Sequence, residues 1–170
     1  MDIYEYQIGQ WQGQGDDAPG GPIRAVSCLP PDRMKALGML PNRAILGVID
    51  RNAAPGTKLS PELFSPNEEF IRFMHHVIRT FGPDDPSMQA VAKAQGKGWL
   101  YVIDLRTPDG PQGRVPPEDI IGAFQIQDGV VVRGEYWAND KHALFSADGF
   151  VKLPESLASV LIRELGKAQG

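Results

Sequence analysis

The chain has 170 residues, of which 42% are hydrophobic and 22% are charged, and its formal net charge is −4. This composition is typical of a globular protein with one core and excludes a disordered chain. The acidic balance and the scattered basic residues also argue against a nucleic acid partner.

Cysteine usage and apolar runs restrict the protein class further. Cys28 is the only cysteine, which excludes an internal disulfide and a cysteine metal cage. No apolar run approaches the roughly 20 residues of a membrane helix, and an N-terminus with Asp2 and Glu5 does not resemble a signal peptide. We therefore expect no membrane partner, and either a cytoplasmic location or delivery by a secretion route that needs no cleaved signal.

The first part of the chain predicts short strands separated by turns. Alternating apolar side chains over residues 2–11 predict an edge strand, and residues 12–22, rich in Gly, Gln and Asp, predict a flexible linker. Residues 23–28 predict a buried strand, which a Pro-Pro corner and a short helix follow. Gly38 stands where that helix would end.

The middle of the chain predicts two longer helices. Residues 44–50 fit either a buried strand or a short helix, and residues 55–66 predict a loop. Asn67 is a good N-cap for a helix that ends near residue 81. An Asp-Pro step at residues 85–86 opens a second helix, which ends near Gly96.

The last part predicts a sheet. Residues 99–105 form the most strongly predicted strand, and their apolar, β-branched character places it at the centre of a sheet with neighbours on both sides. A hairpin is predicted over residues 119–137, with Asp128-Gly129 as its turn. In that register two cross-strand pairs are expected, Ile126 with Val131 and Gln125 with Val132.

An amphipathic helix is predicted over residues 154–166, and we expect its apolar stripe to pack on the hairpin. The stripe consists of Leu157, Val160, Leu161 and Leu165. Because strands and helices do not alternate regularly, the predicted class is α+β with a mostly antiparallel sheet and short helices. We place a strand and linker at residues 1–22 and a single domain at residues 23–170.

Several polar and aromatic groups have a structural interpretation that is simpler than a functional one. His75 and His76 project about 100° apart on a helix and cannot share a metal ion, so we expect one core-facing and one solvated histidine and no metal site. Asp104 and Arg106 fit a surface ion pair. The three tryptophans fit core or loop anchors.

Arg24 is out of place in its predicted strand, because it is a cation at the mouth of an otherwise apolar run. An arginine in that position requires an anionic partner, which is either a carboxylate of its own fold or a phosphate of a ligand. The structural ion pair is the more common of the two outcomes.

The string RAVSCLPPDRMKALGMLPNR resembles the entry motif of the cholera-toxin and pertussis-toxin family of mono-ADP-ribosyltransferases. In that motif a strand ending in Tyr-Arg-x-Asp-Ser-Arg-Pro-Pro-Asp precedes a short helix, a glycine and a Pro-Arg-like segment. Ile23 and Val26 replace the Tyr and the Asp, and one residue is inserted before the prolines. The positions that keep the pattern are Arg24, Ser27, Pro30, Pro31, Asp32, Gly38 and Pro41.

Four further segments resemble the family in the same order along the chain. ILGVIDRN stands at the family's short helix, near Arg51, and LFSPNEEFIRF resembles its Ser-Thr-Ser strand end, of which only Ser65 is kept. WLYVIDL is similar to the Tyr-x-Tyr-x-Ile strand, and GRVPPEDIIGAF to the Gly-Gly-Ile-Pro-Pro strand. Matches that agree along the whole chain favour a shared fold.

The resemblance implies an ADP-ribosyltransferase-like fold that binds NAD and transfers ADP-ribose to a protein side chain, as an effector or toxin does. Arg24 would then clamp a phosphate with its two-donor fork, with Ala25 beside it at the cofactor. Ser65 would shape the nicotinamide pocket. Transition-state charge would be stabilised by a carboxylate, for which the family uses a glutamate.

This chain departs most from the family pattern in the segment before the Pro-Pro strand, where the family places a glutamate. That segment reads Arg106-Thr107-Pro108-Asp109 here, which contains no glutamate, and Asp109 is the carboxylate nearest to the expected place. Either a displaced carboxylate such as Asp109 acts in catalysis, or the fold is kept without the activity. The second case implies a catalytically silent protein-binding module, such as an antitoxin or accessory protein. A chance match in a small α+β interaction protein is a third interpretation.

Overall fold

A computed structural model of the chain describes residues 1–11, 21–54, 56, 58–108, 110 and 113–168. The chain divides into two compact units, one of residues 74–161 with Met1 and the other of residues 2–73 with residues 162–170. The strand pairs described are antiparallel, and short helices lie between the strands. The predicted α+β class with antiparallel sheets is therefore confirmed.

The unit of residues 2–73 contains a four-stranded sheet in the order β1-β2-β3-β4. Its strands are β1 (Tyr4–Ile8), β2 (Ile23–Ser27), β3 (Ile45–Ile49) and β4 (Phe64–Pro66). The predicted edge strand and buried strand are confirmed as β1 and β2, and residues 44–50 form a strand rather than a helix. β4 lies inside the predicted loop at residues 55–66, so that prediction is wrong at its end. The predicted linker at residues 12–22 lies mostly outside the described residues.

Local signals set the helix ends in this part of the chain. Helix α1 (Pro31–Leu37) begins at a proline and ends at Gly38, whose φ of 77° lies in the left-handed region that favours glycine. Helix α2 (Glu68–Phe81) begins after Asn67, whose Oδ1 accepts a hydrogen bond from the Glu69 amide at 3.1 Å. Residues of α2 belong to both units. Both predicted helices are confirmed.

The unit of residues 74–161 contains a three-stranded sheet in the order β5-β6-β7 and a small two-stranded ribbon. Helix α3 (Pro86–Gln95) precedes the sheet, which consists of β5 (Gly98–Ile103), β6 (Ile120–Gln127) and β7 (Val130–Ala138). The ribbon consists of β8 (Phe145–Ser146) and β9 (Gly149–Phe150). β5 lies at the edge of its sheet, so its predicted central place is wrong. Pairing partners that are distant in sequence decide that position, and residue preferences do not.

The hairpin turn confirms the local prediction only in part. Asp128 and Gly129 both have positive φ, 52° and 74°, as a type I′ turn requires. Ile126 pairs with Val131 as predicted. The register shifts between Phe124 and Ile126, so the expected pair of Gln125 with Val132 is wrong.

The terminal helix α4 (Glu155–Leu165) also confirms its predicted stripe. Leu157, Leu161 and Leu165 are buried, and Val160 is half-buried. Within the described residues, no helix is long and apolar enough to cross a membrane.

Candidate functional site

Arg24 on β2 binds a carboxylate of its own fold. Its Nε donates to Oε1 of Glu5 at 2.7 Å and its Nη2 donates to Oε2 at 3.2 Å, so the guanidinium holds the carboxylate with two bonds. The Arg24 side chain is 33% exposed, and the hydrogen bond to Glu5 raises its pKa. Of the two anionic partners expected for Arg24, the structure shows the carboxylate.

The sheet places Arg24 and Ser65 on opposite faces. Arg24 pairs with Ile49, which pairs with Phe64, whereas Ser65 pairs with Val48. Residues that face each other across strands project from the same side, and successive residues alternate. The side chains of Arg24 and Ser65 therefore project from opposite sides of one sheet, and the structure does not bring them together in one cleft.

The remaining residues of the predicted NAD site are not gathered either. Ala25 is fully buried in an apolar cluster with Trp11, Ile23 and Ile45. Its methyl group packs in the core of that unit, so only its backbone could reach a cofactor. Asp109 lies outside the described residues. The roles assigned to these residues by the resemblance stay predictions.

A buried polar cluster surrounds Arg106 in the other unit. Its Nε lies 2.9 Å from Oδ1 of Asp119 and 3.5 Å from Oδ2 of Asp104, and both carboxylates are completely buried. Thr107 donates to the other Asp119 oxygen at 2.7 Å, and Nε2 of His142 lies 3.0 Å from Oδ2 of Asp104. The guanidinium also donates to the carbonyls of Glu118, Ala143 and Gly149.

These contacts make the Arg106 cluster structural. Oδ1 of Asp104 accepts hydrogen bonds from the amides of Arg106 and Lys152, so both carboxylates are saturated by the fold. The Arg106 side chain is only 3% exposed, which leaves no face for a ligand. The predicted surface pair of Asp104 and Arg106 is therefore wrong. Both residues lie in the interior because they join loops that are remote in sequence.

His75 and Tyr136 form a second polar contact in the same unit. The Nδ1 of His75 and the Tyr136 hydroxyl share a hydrogen bond of 2.7 Å. Burial, together with the charges of His142 and Arg79, lowers the pKa of His75 to about 4, and burial raises the pKa of Tyr136. His75 is therefore a neutral core histidine at pH 7, whereas His76 is exposed, as predicted.

An aromatic face on the sheet of β5–β7 is the most conspicuous exposed surface of this unit. Trp99 and Tyr101 of β5 are 46% and 53% exposed, and Trp137 of β7 is 47% exposed. Tyr101 pairs with Ala123, which pairs with Trp137, so all three project from one side. The opposite side of the sheet is buried and consists of Leu100, Val102, Phe124, Ile126 and Val131.

The two edges of this sheet differ in their protection against added strands. β7 carries Arg133, Gly134 and Glu135 opposite the register shift of β6, and charges with bulges are what natural edge strands use against pairing. β5 reads Gly-Trp-Leu-Tyr-Val-Ile, with no charge and no proline. No other strand of the described chain pairs with β5 besides β6. An apolar edge of six residues is therefore open.

The borders of this open edge are defined by hydrogen bonds at its two ends. The side chain of Gln95 donates to the carbonyls of Lys97 and Trp99, at 3.0 and 2.9 Å. At the other end the Leu105 amide donates to the Lys152 carbonyl at 2.9 Å. The backbone of residues 99–103 is therefore the segment that an added strand could reach.

A groove beside α3 and the single thiol are weaker candidates for a site. The groove encloses about 1110 Å³ between α3 and the hairpin, and Lys93, Lys97, Asp128 and Arg133 line it. Arg133 is bound by Asp84, and this mixture of charges selects no ligand class. Cys28 is buried, and burial raises its pKa to about 12, so its thiol is unreactive. Among the described residues, no group of three or more His, Cys, Asp or Glu residues is placed to hold a metal ion.

No protein-family model, no curated protein and no solved structure matches the chain. Sequence reasoning missed the open edge of β5, although one signal for it was present. In Trp-Leu-Tyr-Val, aromatic side chains with polar atoms alternate with aliphatic ones, a period of two that indicates one buried and one partly solvated face.

Proposed function

We propose that the protein is an interaction module that takes up an extended segment of a partner protein as a strand added to β5. The supporting observation is the open, uncharged edge of β5 with two half-exposed aromatic residues, Trp99 and Tyr101. This function is compatible with a catalytically silent ADP-ribosyltransferase-like module and with a small α+β interaction protein that only resembles the family.

Strand addition provides affinity and selectivity by separate means. Backbone hydrogen bonds along the edge bind any extended segment, and side chains that alternate in direction select among segments. Trp99 and Tyr101 point to the same side, about 7 Å apart along the strand. Tryptophan and tyrosine are the residues that most often dominate binding free energy at protein interfaces. We therefore expect partner segments with aromatic or β-branched residues at every second position.

Selection of short random peptides by phage display against the full chain tests this proposal. The selected peptides, once synthesised, should slow hydrogen exchange of the backbone amides between Trp99 and Ile103. Tyr101→Lys should weaken peptide binding about tenfold or more, since one anchor contact and the neutral edge are both lost.

The matched control is Trp137→Lys, because it removes a similar aromatic side chain and adds the same charge on the same face, two strands away from the edge. It should leave peptide affinity unchanged. The proposal fails if the selected peptides leave exchange at β5 unaltered, or if the two variants bind them equally well.

The NAD-dependent ADP-ribosyltransferase remains a second proposal. Its support is that a proline-initiated helix ending in a glycine follows the arginine strand, as the resemblance implies. Saturation-transfer NMR with NAD tests binding, and release of nicotinamide tests turnover.

If Arg24 clamps a phosphate of NAD, Arg24→Lys should weaken NAD binding by roughly 1–3 kcal/mol, because an ammonium group cannot supply the planar two-donor fork. Calorimetry measures this difference, and Arg133→Lys is the control for loss of an exposed guanidinium. Equal affinity of wild type and Arg24→Lys, with the fold intact, would remove Arg24 from any NAD site.

A further inference from the structure

We infer that the strand taken up by β5 is supplied by β5 of a second copy of the chain, so that the protein forms a symmetric dimer. This inference rests on the interaction function proposed above and names its partner. Antiparallel pairing of one edge with its own copy about a two-fold axis is the simplest closed arrangement for such an edge.

The order of side chains in β5 makes the edge complementary to itself. In an antiparallel pair centred on Leu100, Trp99 of each copy lies opposite Tyr101 of the other copy. Two tryptophan–tyrosine pairs form in this way, one on each side of the axis. Aromatic cross-strand pairs are among the most stabilising contacts of antiparallel sheets.

The same register keeps both faces of the sheet consistent. Val102, which projects from the buried side as Leu100 does, lies opposite Gly98 of the second copy, which has no side chain to clash with it. A shift by one residue would place buried side chains beside exposed ones, since side chains alternate along a strand. The pairing centred on Leu100 therefore joins two three-stranded sheets into one of six strands.

Alternative registers of the correct parity are less favourable. A pair centred on Tyr101 contains one tyrosine–tyrosine contact and brings Leu105, whose amide already bonds Lys152, opposite Lys97. A pair centred on Trp99 leaves Tyr101 opposite Lys97. In the register centred on Leu100, Lys97 lies opposite Ile103, so no two charges of the same sign face each other across the axis.

The protection of β7 limits assembly to two copies. After β5 has paired with its copy, the outer edges of the six-stranded sheet are the two β7 strands. Their charges at Arg133 and Glu135 and the register shift beside them oppose further addition. A closed dimer is expected, and an open-ended fibre is not.

The Gln95 side chain does not block this pairing. It bonds the Trp99 carbonyl, yet a carbonyl oxygen has a second lone pair that can accept an amide of the added strand.

Sedimentation velocity of the full chain over a wide micromolar concentration range tests the inference. Wild type should sediment as a dimer at high concentration. Tyr101→Lys should raise the dimer dissociation constant at least about tenfold, because two lysines would enter the pairing where the two tyrosines stood. Trp137→Lys, which carries the same substitution away from β5, should dimerise like wild type.

The register is measured on wild-type protein by isotope-filtered NMR of a mixture of labelled and unlabelled chains. Cross-peaks between the rings of Trp99 in one copy and Tyr101 in the other are expected. A chain that stays monomeric at all concentrations overturns the inference, as does a dimer that Tyr101→Lys leaves intact.

These results separate failure of the dimer from failure of the interaction function. A monomeric chain that still binds selected peptides along β5 retains the interaction function and loses only the second copy as partner. A chain that neither dimerises nor binds such peptides at β5 loses both.

Discussion

Arg24 and Arg106 each bind a carboxylate from a neighbouring segment, but they do so in opposite surroundings. Arg24 binds the carboxylate of Glu5 at the surface, where the side chains of Arg24 and Glu5 are 33% and 45% exposed to solvent. Arg106 lies between two fully buried carboxylates, and three backbone carbonyls accept its other hydrogen bonds. The same type of ion pair is therefore a minor surface contact in one unit and a structural centre in the other.

Burial decides the energetic consequence of each pair. An exposed pair gains little because water solvates both charges and salt screens them. A buried pair has already lost its hydration, so removal of one partner leaves a charge without compensation. If Arg106 were absent, the buried carboxyl groups of Asp104 and Asp119 would lose the guanidinium that lies against both of them.

The largest effect is expected for Arg106→Met. Loss of the guanidinium should lower the free energy of unfolding by about 3–5 kcal/mol, the usual range for breaking a buried ion pair on one side. Urea unfolding followed by circular dichroism measures it.

Arg133→Met is the matched control, since Arg133 also binds a carboxylate, that of Asp84, but is exposed. Its urea midpoint should stay close to that of wild type. Equal, small shifts for the two variants would show that burial does not distinguish the energetic contributions of the two arginines.

A substitution in the apolar core gives a reference for the loss of unfolding free energy expected in Arg106→Met. Leu161→Ala on α4 should cost about 2–5 kcal/mol, because Leu161 is completely buried and its removal leaves a cavity. Val160→Ala on the same helix, at a half-buried position, should cost clearly less. If Leu161→Ala barely moves the urea midpoint, α4 is peripheral, and a chain that ends at Leu153 should then stay folded.

The pH dependence of the unfolding free energy provides a second test of the effect of burial, because His75 is a buried titratable side chain. Its pKa is about 4 in the folded protein, against about 6.5 in an unfolded chain, so the unfolded state binds a proton first as the pH falls. The contribution of neutral His75 is present above pH 6.5 and is lost as the pH falls towards 4. The loss is on the order of 3 kcal/mol, since each pKa unit corresponds to about 1.4 kcal/mol.

Unfolding free energies of wild type and His75→Gln, measured between pH 7 and pH 4, give that contribution as the difference between the two slopes. The variant should depend less on pH than wild type. His76→Gln, one position along the same helix and exposed, should keep the wild-type slope. A wild-type slope in His75→Gln would assign the acid sensitivity to other groups.

Sequence reasoning predicted the features that neighbouring residues decide. Asn67 caps α2, Gly38 ends α1 and Asp128-Gly129 turns the hairpin, because each feature depends on the conformation of a few adjacent residues. The amphipathic stripe of α4 followed from helical spacing alone.

The same reasoning did not predict contacts between remote segments. The Asp104 carboxylate meets Lys152, which is 48 residues away, and Arg106 meets Ala143, which is 37 residues away. Nothing in the sequence near Asp104 and Arg106 distinguishes these partners from water. β5 was misplaced for the same reason, since edge and centre differ only in whether a second strand pairs with it.

The smallest effect is expected for Glu5→Gln, which removes the carboxylate from Arg24. It should lower the free energy of unfolding by about 0.2–1 kcal/mol at low salt, the range of exposed ion pairs. At 1 M salt the Debye length falls to about 3 Å, so wild type and variant should converge there. Urea unfolding at the two salt concentrations measures both values. A loss several times larger that salt leaves unchanged would place the Arg24 pair in the same energetic class as the Arg106 cluster.

Glu5→Gln also frees the guanidinium of Arg24 from its carboxylate partner. NAD affinity should therefore rise in this variant if Arg24 is a phosphate clamp, and should stay unchanged if the ion pair is the whole role of Arg24.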